Sequence, residues 1–223
     1  MDFNDSQQEA AFRKEARDFL EANAEKRSII SDKPNDKSPQ IAVAGAPETV
    51  KGGKEAAQEA LERAKVWQKK KAEAGFAAIL WPKEFGGYGG SPIQQVIYSQ
   101  EEHDYLVPSG YFEIGIGMLG PTMMVWGKDE DKKRYLPKMI TGEEIWCQLF
   151  SEPSAGSDLA GIKMKAEKDG DEWVLNGQKV WTSGAHFADY GMIVARSDPS
   201  ALKHKGLTSV SYTHLTLPTK PSV

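Results

Sequence analysis

The stretch Ser151-Glu152-Pro153-Ser154-Ala155-Gly156-Ser157-Asp158 has the residue types of a loop that takes an anion or the polar edge of a ring. Small side chains let backbone N–H groups approach a ligand, and the hydroxyls of Ser151 and Ser157 add donors. The stretch lacks the Gly-Lys-Ser/Thr ending of a Walker loop and the Gly-x-Gly-x-x-Gly of a dinucleotide turn. The same composition also makes an ordinary Pro/Gly/Ser turn between strands, and the residues alone leave both readings open. A second group is Asn176-Gly177-Gln178-Lys179-Val180-Trp181-Thr182-Ser183-Gly184. If this segment is a strand, Trp181 and Ser183 project from one face. An indole is a flat wall for an aromatic cofactor, and a hydroxyl beside it can bond the cofactor's heteroatoms. A core tryptophan of a barrel satisfies the pattern equally well.

Other chemistry-bearing residues read as structural. His103, His186, His204 and His214 are scattered without metal-ligand spacing. Glu101, Glu102 and Asp104 splay apart on a helix and are expected to be solvated. Cys147 sits in an apolar run and reads as a small buried hydrophobe rather than a nucleophile. Lys128 to Arg134 reads as an exposed helical face.

The elements that must position these groups change character along the chain. Phe12, Ala16, Phe19 and Leu20 form one helical stripe, and Ser6 to Glu9 has capping-box spacing. From Ser28 to Gly53, prolines and glycines interrupt any pattern, which predicts a long loop. A second helix carries Ala57, Ala60, Leu61, Ala64, Trp67, Lys71 and Ala74 on one face, with Gly75 as its stop. Ser91-Pro92 is an N-cap and first-turn pair for a third helix, with Ile93, Val96 and Ile97 expected to face inward. Ile114 to Leu119, apolar with interspersed glycine, is expected to pack closely on a neighbour. Asp129 starts a short helix through Tyr135, ended or kinked at Pro137.

Beyond Gly142 the period shifts to two. Ile145 to Phe150 is a short apolar run, and Ile162, Met164 and Ala166 alternate with Lys163, Lys165 and Glu167. Asn176-Gly177 between Trp173-Val174-Leu175 and Val180-Trp181-Thr182 predicts a hairpin. Tyr190–Ala195 and Gly206–Tyr212 read as further strands. Helices first and strands second predict an α+β chain with two segregated domains rather than an alternating sheet.

Composition narrows the function classes. The chain has 223 residues, of which 39% are hydrophobic, enough for a core. Its net charge of −4 argues against a nucleic-acid binder. One cysteine excludes an internal disulfide and a cysteine-rich zinc site. The mean hydropathy is −0.53, and the sequence holds no run of about 18 apolar residues, so no membrane span is expected. The acidic, polar start is unlike a secretory signal, and the expected location is the cytoplasm.

Taken in order, these stretches resemble the acyl-CoA dehydrogenase family over roughly residues 1 to 208. Gly75-Phe76 with Trp81-Pro82-Lys83-Glu84-Phe85-Gly86-Gly87 is similar to its helical-domain loop. Arg134-Tyr135-Leu136-Pro137 with Thr141-Gly142-Glu143 resembles the lead into its middle domain. Glu152-Pro153-x-Ala155-Gly156-Ser157-Asp158 resembles its flavin signature, and Asn176-Gly177-x-Lys179-x-Trp181 the strand flanking the flavin ring.

The resemblance implies an α-helical N-terminal domain over residues 1–143, then an antiparallel β-barrel or sandwich domain over residues 144–209, incomplete. It implies FAD as cofactor, an acyl-CoA substrate, an electron-transferring flavoprotein as acceptor, and an oligomer when full length. Gln148, Leu149, Phe150 and Ser151 would form the strand end beside the flavin, with the Phe150 backbone and the Ser151 hydroxyl on the pyrimidine edge. Ser157 would lie near the cofactor phosphates and the acyl-CoA thioester arm. Trp181 would stack by the ring, next to Thr182, and Ser183 would reach the redox-active nitrogen. Where family members often carry threonine, Ser151 and Ser183 keep the hydroxyl. Gln148 with Phe150 is similar to a subset acting on branched, steroid-like or otherwise bulky acyl-CoA substrates. The implied reaction is α,β-dehydrogenation, in which a carboxylate base takes the α-proton and the β-hydride passes to the flavin. An acyl-CoA oxidase or flavin monooxygenase on the same scaffold, and a non-catalytic partner subunit, are the alternatives.

Two departures accompany the resemblance. The family's C-terminal helical bundle, with its catalytic glutamate, has no room here, so no catalytic base is assigned, and Glu152 is not a substitute. The tail, residues 210–223, leaves the family pattern and reads like translated adapter or vector DNA. A barrel without its remaining strands and a pocket without one wall are expected to hold flavin weakly.

Overall fold

A computed structural model describes residues 4–27 and 53–212. The expected loop after Ser28 and residues 213–223 of the tail, His214 included, lie outside the described residues, apart from Gly53, which opens a helix. The chain divides into two compact units, Met1–Glu143 and Glu144–Val223. The first is helical and the second is built on a sheet, so the α+β reading holds at that level.

In the helical unit, α1 (Gln7–Asn23) starts on the expected capping box. The Ser6 hydroxyl accepts from the Glu9 N–H at 3.3 Å, and the Glu9 carboxylate accepts from the Ser6 N–H at 2.6 Å. Phe12, Ala16 and Leu20 are its buried stripe. A two-residue strand, β1 (Glu25–Lys26), follows. Helix α2 (Gly53–Glu73) buries Leu61, Ala64 and Trp67 and ends before Gly75. Helix α3 (Pro92–His103) begins on a second capping box, Ser91 with Gln94. Then β2 (Tyr105–Leu106) pairs antiparallel with β1. A π-helical turn over Gly115–Leu119 leads into α4 (Gly120–Trp126), and α5 (Asp129–Thr141) closes the unit. Helix α1 packs on α3, and α2 on α5.

The close approach expected of the Ile114–Leu119 region is realised at its end. A Cβ on Gly120 would lie 2.1 Å from Trp81 Cζ2, so the ring occupies the space a side chain would need. Trp81 is held there, buried, by its indole N–H donating to the Ile116 carbonyl at 2.8 Å.

Three expectations for this unit fail. Ile93 and Val96 do not face inward; they are 47% and 49% exposed, and α3 instead buries Ile97 and Tyr98. The buried arc, where α3 meets α1, is centred between Ile97 and Tyr98; Val96 falls on the opposite side of the helix and Ile93 at the rim of the arc. Of the two outcomes expected at Pro137, an end or a kink, the end does not occur: helix α5 runs through the proline to Thr141 and ends at Gly142. Burial of Leu136, Met139 and Ile140 on either side of the proline outweighs one missing hydrogen bond. Glu101 is not solvated. Its carboxylate, 12% exposed, accepts from Arg13 at 3.0 Å and from Arg17 at 2.9 Å, while Glu102 accepts from the Tyr98 hydroxyl at 3.1 Å. The arginines lie on α1, so the pairing across two helices is invisible in the local sequence. Lys128 to Arg134 lies mainly exposed, as read.

The second unit holds a five-stranded sheet of β3 (Trp146–Leu149), β4 (Lys165–Asp169), β5 (Glu172–Asn176), β6 (Tyr190–Arg196) and β7 (Leu207–Tyr212). Strand β6 is its centre. Along one edge it pairs antiparallel with β7; along the other it pairs parallel with β3 and, at Arg196↔Lys165, with β4. The sheet is therefore mixed rather than antiparallel, and the described strands do not close into a barrel. Parallel pairing is possible because a long connection, residues 150–189 with the β4–β5 hairpin in it, separates β3 from β6 and lets the chain re-enter in the same direction. Cys147, Leu149, Met164, Ala166, Ala185, Ile193 and Ala195 form the core of this unit. The period of two holds in burial: Ile162, Met164 and Ala166 are buried, and the residues between them are exposed.

The hairpin lies elsewhere than expected. Strands β4 and β5 close at Asp169↔Glu172, so the turn is Gly170-Asp171 and Asn176 is a strand end. Gly170 has φ +59 with open space around it, the left-handed geometry a two-residue hairpin demands. Residues 177–189 form no strand.

Candidate functional site

Strand β3 delivers the first group of site residues. Its side chains alternate across the sheet, with Cys147 and Leu149 in the core and Gln148 half-buried on the other face. Phe150 and Ser151 follow as the chain leaves the sheet, both half-buried. The loop then folds on itself: the Glu152 N–H donates to the Ala155 carbonyl at 2.8 Å, and the Ala155 N–H returns to the Glu152 carbonyl at 3.1 Å. This tight turn exposes Pro153, Ser154, Gly156, Ser157 and Asp158. Arg196 ties down the far end of the loop, donating to the carbonyls of Ala160 at 2.7 Å and Ile162 at 3.2 Å.

Under the loop lies an ion pair that the sequence reading missed. Lys179 Nζ donates to Glu152 Oε1 at 2.8 Å and to the Phe150 carbonyl at 2.9 Å. The two side chains are 4% and 5% exposed. Glu152 also accepts from the backbone N–H groups of Lys163 at 2.7 Å and Met164 at 2.9 Å. Four hydrogen bonds thus join residues 150–152, 163–164 and 179. Burial pushes the Glu152 carboxyl up, but the hydrogen bonds from Lys179, Lys163 and Met164 outweigh it and hold the group below the usual carboxylate range. The carboxylate is fully engaged and is no free base. Both residues stand inside the stretches singled out from the sequence; opposite charges there were the available signal.

The second group is brought to the first at its backbone. One residue past Lys179, the Val180 N–H donates to the Ser151 carbonyl at 2.9 Å. Trp181 follows with φ +59 and 89% of its surface exposed. The core-tryptophan reading is therefore wrong, and so is the strand on which Trp181 and Ser183 would share a face. A left-handed residue interrupts the extended backbone there. Thr182 is half-buried and its carbonyl takes the Ala185 N–H at 3.4 Å, while Ser183 is exposed. Phe150 and Ser151 thus meet Lys179 and Val180, whereas Ser157 stands apart on the exposed loop. The donor chemistry suits a flat heteroaromatic ligand: hydroxyls for its edge and a solvent-open indole for its face.

Cys147 takes no part. It is buried, and burial pushes its thiol up to about 11. At pH 8 such a thiol is ionised to about one part in a thousand. Alkylation of the folded chain by iodoacetamide should therefore be negligible, and one equivalent should react after denaturation; rapid labelling of the folded chain would refute this placement. Among the described residues no group of three or more His, Cys, Asp or Glu could hold a metal ion, and His103, His186 and His204 are exposed. No described helix is long and apolar enough to cross a membrane.

Two family models match the chain: the acyl-CoA dehydrogenase N-terminal domain over residues 47–143 and the acyl-CoA dehydrogenase middle domain over residues 147–218. Acyl-CoA dehydrogenase IpdE1 of Mycobacterium tuberculosis is 40% identical over 157 residues, 70% of this chain and 41% of that protein. The solved structure of the Tcur3481-Tcur3483 steroid ACAD superposes with a TM-score of 0.71 at 32% identity, covering 96% of this chain and 49% of that one. The ChsE4-ChsE5 complex from Mycobacterium tuberculosis gives 0.68 at 30% identity, covering 96% of this chain and 48% of its counterpart. The chain thus spans between two-fifths and one-half of the length of these relatives.

Proposed function

This chain belongs to the acyl-CoA dehydrogenase family, and from that premise we propose that it forms the flavin-gripping part of an FAD-dependent acyl-CoA dehydrogenase. The observation that carries the reading is an exposed Trp181 indole anchored, through the Val180–Ser151 hydrogen bond, beside the hydroxyl-bearing end of β3. FAD, when bound, supplies the two-electron acceptor for α,β-dehydrogenation of an acyl-CoA thioester, with an electron-transferring flavoprotein as the onward acceptor. Phe150 and Ser151 would bond the polar edge of the ring, Trp181 would cover its face, and Ser183 would donate its hydroxyl to the central ring. Gln148 and Leu149 would back that strand end, Thr182 would join Trp181 to Ser183, and Ser157 would face the phosphates and the thioester arm. The carboxylate that removes the α-proton is assigned to no residue of this chain. The similarity to the Tcur3481-Tcur3483 steroid ACAD supports a bulky acyl group.

Titration of FAD into the purified chain tests the reading. Flavin fluorescence should be quenched in a weak, dialysable complex, and Trp181→Ala should weaken the binding at least about tenfold, in line with the loss of one stacked aromatic. Affinity unchanged by Trp181→Ala would overturn the proposed slot. A second reading is favoured by two similar structures, the Tcur3481-Tcur3483 steroid ACAD and the ChsE4-ChsE5 complex, each named for two proteins. In it, this chain is a partner subunit lending surface to a shared flavin site, and the distinguishing measurement is one FAD per two different chains in the purified assembly.

A further inference from the structure

We propose that Lys179, through its buried pair with Glu152, is the positioning residue that aims Trp181 and the Ser151 strand end at their ligand. The claim rests on the reading of this site as a flavin slot for the ligand's identity, but not for the positioning itself. Lys179 reaches back to both residues that flank Ser151, bonding the Phe150 carbonyl at 2.9 Å and the Glu152 carboxylate at 2.8 Å. Two residues after Lys179 stands Trp181, in left-handed backbone geometry and with its indole in solvent. A non-glycine residue persists in that region only where its surroundings impose it. No packing of the exposed indole can do so; the backbone is fixed on either side of it, before by Lys179, pinned inside, and Val180, bonded to the Ser151 carbonyl at 2.9 Å, and after by the turn in which the Thr182 carbonyl takes the Ala185 N–H at 3.4 Å.

The ion pair suits this task better than an apolar contact would. Burying two charges is costly, and an apolar pair often serves stability as well or better. An apolar pair cannot set direction. Here an ammonium with two acceptors and a carboxylate with three donors admit one arrangement of three chain segments. Shells of this kind hold a binding group in register; around metal ligands their loss costs about tenfold to a hundredfold in affinity, and the lower end of that range is the effect expected here.

The test compares the full chain with Lys179→Gln, which keeps a donor but loses the charge and the reach, and Lys179→Arg, which keeps the charge. Hydrogen exchange gives the first readout. In Lys179→Gln, Val180 should lose about tenfold in protection relative to the amides of β6 in the same unit, because the opening is local rather than global. The Trp181 indole resonance should shift with it, and Lys179→Arg should recover most of both. The second readout is FAD affinity at a temperature where each variant is folded, expected to fall about tenfold in Lys179→Gln and to return toward the parent in Lys179→Arg. Protection of Val180 that declines only in step with β6, or FAD affinity untouched in a folded Lys179→Gln variant, overturns the proposal. A parent chain that ignores FAD while Val180 still responds selectively to Lys179→Gln would sink the flavin reading and leave the positioning role standing.

Discussion

Lys179→Met is expected to destabilise the sheet unit by about 3–5 kcal/mol, the usual cost of leaving one member of a buried ion pair without its partner. The methionine fills much the same volume, so the loss is electrostatic. Glu152 would keep its two backbone donors, Lys163 and Met164, but lose the ammonium, and the Phe150 carbonyl would lose its bond as well. Thermal unfolding followed by circular dichroism reads the effect. A Lys179→Met variant melting within a degree or two of the parent would show that the pair contributes nothing to the fold. Acid gives the matching signature. The Glu152 carboxyl titrates lower in the folded chain than in the unfolded one. The stability it contributes is therefore complete above the ordinary carboxylate pKa and is lost as the pH falls through the depressed folded value. In Lys179→Met that acid-dependent loss should shrink, because the hydrogen bond from Lys179, the chief lowering influence, is gone.

Gly120→Ala should cost about 3 kcal/mol, at the upper end of what overpacking a filled core commonly costs. The added methyl would sit 2.1 and 2.4 Å from two atoms of the Trp81 ring and 3.2 Å from the Gly115 carbonyl. Trp81 has nowhere to go, since it is buried and its indole N–H is committed to the Ile116 carbonyl. The π-helical turn just before Gly120 cannot slide either without giving up that bond. In a domain of this size the loss corresponds to a melting temperature lower by roughly 6–12 °C. Trimming the ring tests the cause: in Trp81→Phe, the Gly120→Ala substitution should cost markedly less, so that the two changes couple by about 1–2 kcal/mol. Strict additivity would mean that the clash is not what constrains position 120.

Features that depend on neighbours a few residues apart could be read without a structure. Ser6 with Glu9 and Ser91 with Gln94 cap their helices because the bonding groups lie three residues apart. The Ile162-Met164-Ala166 alternation survived into the burial pattern because pleating imposes a period of two on any strand-like backbone. Position 170 was equally local: Gly170-Asp171 is a turn signal, but Asn176-Gly177 is a stronger one and misled the reading. The two chemical stretches were recognisable by residue type, and the order of their motifs pointed to the family that the matching domain models show.

What no window of sequence contained was which distant groups meet. That Glu101 answers Arg13 and Arg17, that β3 runs parallel to β6, and that Lys179 is buried under the loop at Glu152 are facts about segments tens of residues apart. The exposure of Trp181 belongs with them, because the same residue types left a core position and a solvent-open one equally open. Residue types and short spacings determined the helix starts, the change of period and the chemical character of the candidate site. Tertiary structure alone decided the aim of that site, because hydrogen bonds and ion pairs across the fold have energies set by approach and burial, neither of which is a local property of the chain.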